Sequence, residues 1–260
     1  MPLLLALPLP LTGFTPLKVA LFVSLALMLP ACGTPPAPTT RGEAQSAPIT
    51  TSELAQSDSN RMATLSMRDN LASLILLADK LYRRNPGELS KNSLKNVAPN
   101  RESALVRLRN AIDSRTHWPD LQGKRDIQAL ALALGPDFAG DRVAAFIYAT
   151  ADMLITAHEG KTTLYLTDSL DAQHIYNAAR NIEIAVWMLA NRRNAAGQPL
   201  LLADEITSNV RNVSFEREFG KIIGRLDLLA MMLTEKYRRA VITYVQSIIG
   251  SQFLQFLPVR

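Results

Sequence analysis

Only one of the 260 residues is a cysteine, so the chain has no internal disulfide. Whatever fold it adopts must be held by packing, even in an oxidising compartment. Histidine is nearly as scarce, with three residues, His117, His158 and His174. No two of them stand four apart, so the paired-imidazole metal motif is missing. Asp168, Asp171 and His174 combine ligand types, but their i, i+3, i+6 spacing turns the third about 240° away from the first. Helix capping accounts for the aspartates, and no metal is expected. Also absent are a G-x-S-x-G elbow, an S-x-x-K paired with K-T-G, a phosphate loop and a dinucleotide fingerprint. These absences remove the familiar nucleophilic and nucleotide chemistries and predict a protein that is not an enzyme and carries no cofactor. There is no basic block either: the formal charge is +5, spread along the chain. A mild imbalance of that kind is a solvated surface, and no nucleic-acid partner is expected.

What is present begins with the position of that cysteine. Cys32 closes Leu29-Pro30-Ala31-Cys32, after the apolar run VALFVSLALML (19–29) flanked by Lys18. A transmembrane span needs about 20 apolar residues; Lys18 interrupts this region, and Pro8, Pro10 and Pro16 would break a helix upstream. The positive flank, short apolar core and small-residue end form a secretory signal. The segment resembles a type II, lipoprotein signal peptide with its lipobox, although Pro30 departs from the usual second position. The resemblance implies cleavage after residue 31, diacylglycerol on the Cys32 thiol and an acyl chain such as palmitate on the new amino terminus. Gly33, where an aspartate would signal inner-membrane retention, points to the outer membrane, facing the periplasm. Several buried acyl chains, at about 0.8 kcal/mol per CH2, would anchor the protein without a membrane-spanning helix. Residues 1–16 carry no charge, which predicts a translation start near Leu17. Loss of Lys18 with the signal leaves 27 basic and 23 acidic residues, a charge of +4.

Three regions follow: a signal at 1–31, a lipidated cysteine and tether at 32–51, and a domain at 52–260. The tether, GTPPAPTTRGEAQSAPITT (33–51), is rich in proline, threonine, alanine and serine with no apolar period. As a coil it would span roughly 25 Å.

The domain reads as all-α, a single bundle-like domain of five to seven helices with a long C-terminal helix. Leu71, Leu74, Ile75, Ala78, Leu81 and Tyr82 mark a first helix over 60–84, ended by Asn85-Pro86. Residues 87–99 are expected to be loop. Asn100 caps a second helix, a third covers 124–134, and Asp141 caps a fourth that ends at Gly160. Residues 162–166 (TTLYL) suggest a short extended piece. A fifth helix over 168–193 has Ile175, Ala179, Ile182, Val186 and Leu189 on one face. Ile184, Trp187 and Met188 widen that face, so this helix is expected to be central. The last helix starts after Ser214 and runs to about Gly250. Its Phe215, Phe219, Ile222, Leu226, Leu229, Leu233 and Tyr237 recur at steps of four, three, four, three, four and four, close to a coiled-coil seam. The apolar tail 253–259 is expected to fold back on the core.

Two motifs are candidate sites. Gly220-x-x-x-Gly224 lies within the long helix, where each glycine costs about 1 kcal/mol relative to alanine. Close approach of a neighbouring helix would offset that cost; a homodimer face is the alternative. Asn177, Arg180, Asn181 and Glu183 form a polar cluster on the fifth helix, with Arg180 in reach of Glu183. It reads either as a hydrogen-bond network locking loops to the helix or as a binding site.

The stretches DKLYRRNP (79–86), GDRVAAF (140–146), YNAARNIEIAVW (176–187) and NVSFEREFGK (212–221) are similar to a group of uncharacterised proteobacterial envelope lipoproteins. That resemblance implies an envelope address and no known activity. The expected role is a non-enzymatic scaffold or accessory subunit of an envelope protein complex. A carrier or sensor of an apolar ligand between helices is the alternative, and an envelope hydrolase a weaker one.

Overall fold

A computed structural model describes residues 50–91, 100–206, 209 and 211–254. The signal, Cys32 and most of the tether lie outside the described residues. Among the described residues the chain is all-α, with seven helices and one two-residue hairpin. The helices are α1 (Asp58–Arg84), α2 (Pro86–Lys91), α3 (Arg101–Asp113), α4 (Asp126–Ala133), α5 (Arg142–Ala157), α6 (Ala172–Asn191) and α7 (Ser214–Leu254). No helix among them is long and apolar enough to cross a membrane.

The helix starts follow the capping chemistry of the sequence. Ser57, Asn100, Asp141 and Asp171 each accept a backbone N–H of the first turn of α1, α3, α5 and α6. Asp171, not Asp168, therefore opens α6. The fold also begins slightly inside the expected tether, where Thr50 and Glu53 form a capping box on the 3-10 turn Thr51–Ala55.

α5 is the central helix. Thirteen of its 16 residues are buried, including Phe146, Ile147, Met153 and Leu154. It packs against α1, α3, α4 and α6, while α7 lies across α1 and α6. This corrects the expectation that α6 is central: of the three residues that widen its apolar face, Met188 is buried, but Trp187 is 60% exposed and Ile184 is exposed too. The core gains ring contacts between Phe146 and Phe219, edge-on at 6.3 Å, and between Trp118 and Tyr148 at 5.7 Å.

Two segments differ from their expected form. The stretch 87–99 is not all loop, because Pro86 starts α2. Residues 162–166 form no strand. Donors from the α1 end of the chain hold this loop instead: Gln56 Nε2 donates to the Leu164 carbonyl at 2.7 Å, and Asn60 Nδ2 to the Tyr165 and Asp168 carbonyls. The hairpin, β1 (Glu205–Ile206) with β2 (Arg211–Asn212), lies elsewhere. It leads into α7, whose first free N–H groups, at Phe215 and Glu216, donate to Asp204.

The motif 140–146 ties a knot at the top of α5. A Cβ on Gly140 would lie 2.7 Å from the Asp120 carboxylate, so only glycine fits unaltered. Asp141 is buried and accepts from the Tyr82 hydroxyl at 2.6 Å. Arg142, also buried, donates to the carbonyls of Gly135, Pro136 and Phe138, and its own N–H donates to Glu88.

Candidate functional site

The polar cluster of α6 lies on its outer face, beside α7. Arg180 pairs with Glu183 at 3.1 Å, as the i, i+3 spacing predicts, and clasps Asp227 of α7 through both carboxylate oxygens, at 2.8 and 2.9 Å. Its guanidinium also lies over the Tyr176 ring at 5.0 Å. Asn177 turns away and accepts from Gln173; Asn181 is partly buried next to them. The cluster is thus not a network locking loops to a helix. It joins two helices, and its key acid, Asp227, was not among the candidates. The signal for it was there: Asp227 flanks the seam residue Leu226, where coiled-coil neighbours form interhelical ion pairs.

Next to this clasp runs an open groove of about 550 Å³ between α6 and α7, lined by Tyr176, Arg180, Asp227, Met231, Thr234 and Glu235. The exposed side chains of Ile184, Trp187, Leu228 and Met231 surround the same helix pair. Gly220 and Gly224 belong to the outward face of α7. Both are exposed, and a Cβ on either would meet nothing within 4 Å. Close intramolecular packing at these glycines is therefore corrected: among the described residues no helix approaches them.

The seam of α7 changes character along its length. Phe215, Phe219, Ile222, Leu226, Leu229 and Leu233 are buried against the bundle. From Lys236 to Ile249 every residue is exposed. This arm displays Tyr237, Val241, Ile242, Tyr244, Val245, Ile248 and Ile249, with Val241 and Tyr244 exposed by 68% and 67%. The side chains of 250–254, and residues 255–260 with the apolar tail, lie outside the description.

Other hollows are less chemical. One, of about 850 Å³, opens between the 3-10 turn Pro119–Leu121 and the 135–140 loop and includes Asp120, Lys124 and Asp137. A groove of about 630 Å³ between α1 and α3 is lined by Met67, Leu71, Ile75 and Ile112, with Thr64, Arg68, Arg109 and Asp113 at its rim.

Among the described residues no group of three potential ligands is placed to hold a metal ion. His174 pairs with Glu159 at 3.0 Å instead of joining Asp168 and Asp171. Asp168 binds Lys161, and that hydrogen bond, with the Tyr165 N–H, holds its carboxyl below the usual carboxylate range. Burial lowers the Lys80 ammonium, which donates to the Ser214 carbonyl and lies 4.8 Å over the Phe215 ring. Burial also lowers His158, whose Nδ1–H donates to the Leu154 carbonyl while its buried Nε2 has no hydrogen-bond partner. These groups serve helix ends and loops.

Comparison with models of protein families, with curated proteins and with solved structures finds no match to this chain.

Proposed function

We propose that this chain is an envelope lipoprotein of a bacterial outer membrane, anchored through acyl chains on Cys32, whose helical domain serves as a scaffold or accessory subunit of an envelope protein complex. The anchor rests on the sequence around Cys32 and the tether that follows it. The single observation that carries the scaffold reading is the arm of α7. Monomers rarely expose contiguous apolar patches above a few hundred Å², and this helix exposes seven large apolar residues in one stretch. Such a surface is built for contact with another macromolecule. No catalytic activity and no resident cofactor enter this reading. The carrier alternative has one observation in its favour, the apolar floor of the groove between α1 and α3.

Two measurements test the proposal. A clickable palmitate analogue fed to cells should label the wild-type protein and not Cys32→Ser; an unlabelled wild type overturns the anchor. Crosslinking in intact cells, followed by purification of the full chain and mass analysis, should retain a stoichiometric envelope protein. Retention of a small apolar molecule with no protein transfers the role to the carrier.

A further inference from the structure

The contact between α1 and α7 is stitched by polar side chains. Lys80 Nζ donates to the Ser214 carbonyl at 2.8 Å, Arg225 donates to Asn70 and Ser73, and Lys236 Nζ donates to Ser59. Falling numbers on α1 meet rising numbers on α7, so the two helices run antiparallel. Ser59, Asn70, Ser73 and Lys80 share an arc of about 80° on α1, at 100° per residue, and this arc faces α7. Arg225 stands in the middle of the contact. Its Nη1 donates to Asn70 Oδ1 at 3.2 Å and to Ser73 Oγ at 3.3 Å. Asn70 and Ser73 are both buried, so the guanidinium is gripped from the core side while the residue itself is half-buried. Among the described residues no carboxylate forms an ion pair with it. The nearby acids are engaged elsewhere: Asp69 with Arg68, Glu218 with Lys221, Asp227 with Arg180. Asn70 spends its oxygen on Arg225, and its buried Nδ2 is a donor without an acceptor.

Exposed apolar residues border this cation. Leu76 of α1 and Leu228 and Met232 of α7 are all exposed. Counted from the line along which the two helices meet, they lie within about 80° on the side away from the buried seam, so they edge the open mouth of the same crevice. We infer that the crevice around Arg225 docks an acidic amphipathic helix of an envelope protein. One carboxylate of that helix pairs with the open side of the guanidinium, and its apolar neighbours cover Leu76, Leu228 and Met232. The inference rests on the scaffold reading and deepens it, giving a partner its chemistry at a surface separate from the arm.

Charge selects the occupant. A guanidinium drawn partly out of water without a counter-ion is costly, and a carboxylate in fork geometry is its best complement. Asn70 and Ser73 hold one edge of the fork, so its orientation is set before a partner arrives and little side-chain freedom is lost on docking. Apolar residues around a central arginine exclude water from the pair, the arrangement in which one arginine dominates an interface. Depth selects a side chain on a helix over a lipid headgroup. Arg225 lies lower than the apolar side chains at its rim, so the acid must enter between them on a short stem. Helices that lie on anionic lipid project their cations outward instead. The furrow between two packed helices is the shape that receives the ridge of a third.

A photocrosslinking benzophenone side chain placed at Met232 in the full-length chain, in intact cells, tests this. The expected product joins that position to a peptide of another protein that carries an aspartate or glutamate with apolar residues three or four positions away. Arg225→Met should lower its yield at least tenfold. Leu228 is exposed, so its variants leave the fold intact and keep the test sharp: Leu228→Asp should lower the yield at least tenfold, and Leu228→Lys should retain it. Arg225→Glu should abolish the product, and reversing the captured acid to arginine should restore it. A captured protein indifferent to Arg225→Met, or equal losses from Leu228→Asp and Leu228→Lys, overturns the site and leaves the scaffold reading standing. Capture of lipid or of nothing at Met232 also overturns the site. The same probe at Tyr244 on the arm then separates the two readings: a protein captured there preserves the scaffold, and none captured there overturns both.

Discussion

The two halves of α7 share one helix and end in opposite surroundings. Up to Leu233 the seam is buried by α1 and α6; beyond Glu235 the apolar residues are exposed. Periodicity therefore encodes that a helix has an apolar side, and says nothing about who supplies the other half of the contact. In the first half the partner lies in the same chain. In the second half the large apolar residues from Tyr237 to Ile249 are exposed among the described residues.

That contrast can be broken by truncation on either side of Leu233. Phe219→Ala, in the buried half, removes a side chain that is 1% exposed and meets Phe146 edge-on. It should cost about 3–5 kcal/mol in urea unfolding. The bundle that buries the first half also contains a buried titrating group, His158 at the end of α5. Its folded pKa is lowered by burial, so the unfolded chain binds the proton more readily. Its contribution to stability is fully present above the unfolded value of about 6.5 and is lost as pH falls through the folded value, with a slope of at most about 1.4 kcal/mol per pH unit. The stability of His158→Phe should therefore fall less than that of the wild type between pH 7 and 5. Asp204→Ala removes the acceptor for the first amides of α7 and should cost about 1 kcal/mol, seen as a lower thermal midpoint. Arg180→Ala opens the clasp to Asp227, where both side chains are more than a third exposed; the loss should stay below about 1 kcal/mol in the same assay. The smallest effect sharpens the comparison most. Ile248→Ala, in the arm, should alter urea stability at low protein concentration by less than about 0.5 kcal/mol. A multi-kcal loss there would mean that the arm is buried within its own chain.

Much of this contrast was legible from residues alone. Steps of three and four located every long helix within a few residues, and Asn100, Asp141 and Gly160 placed their ends. The seam of α7 was visible from Phe215 to Tyr237. What could not be read is which apolar residues find cover. Trp187 and Ile184 look like core by type, yet both are exposed beside the α6–α7 pair. Gly220 and Gly224 look like a packing motif, yet they face outward. Both errors share one cause: a helical period fixes relative angle along an axis, and the absolute direction depends on neighbours far away in sequence. The hairpin 205–212 was missed for a different reason, since two residues per strand leave no alternation to detect. The Arg180–Asp227 clasp joins residues 47 positions apart, a separation that local spacing rules do not reach.

The knot formed by Arg142 bears on the order in which the chain assembles. Its guanidinium reaches carbonyls only four to seven positions back in sequence. Closing so short a loop loses little chain entropy, so α4, the 135–138 turn and the first turn of α5 can come together before any distant segment arrives. The hydrogen bonds of α1 with α7 span more than 130 positions and must wait. Local pairings of this kind are the ones that form fast. The central helix would then serve as the early template on which the two outer helices condense, with the arm the last part of the chain to find its place.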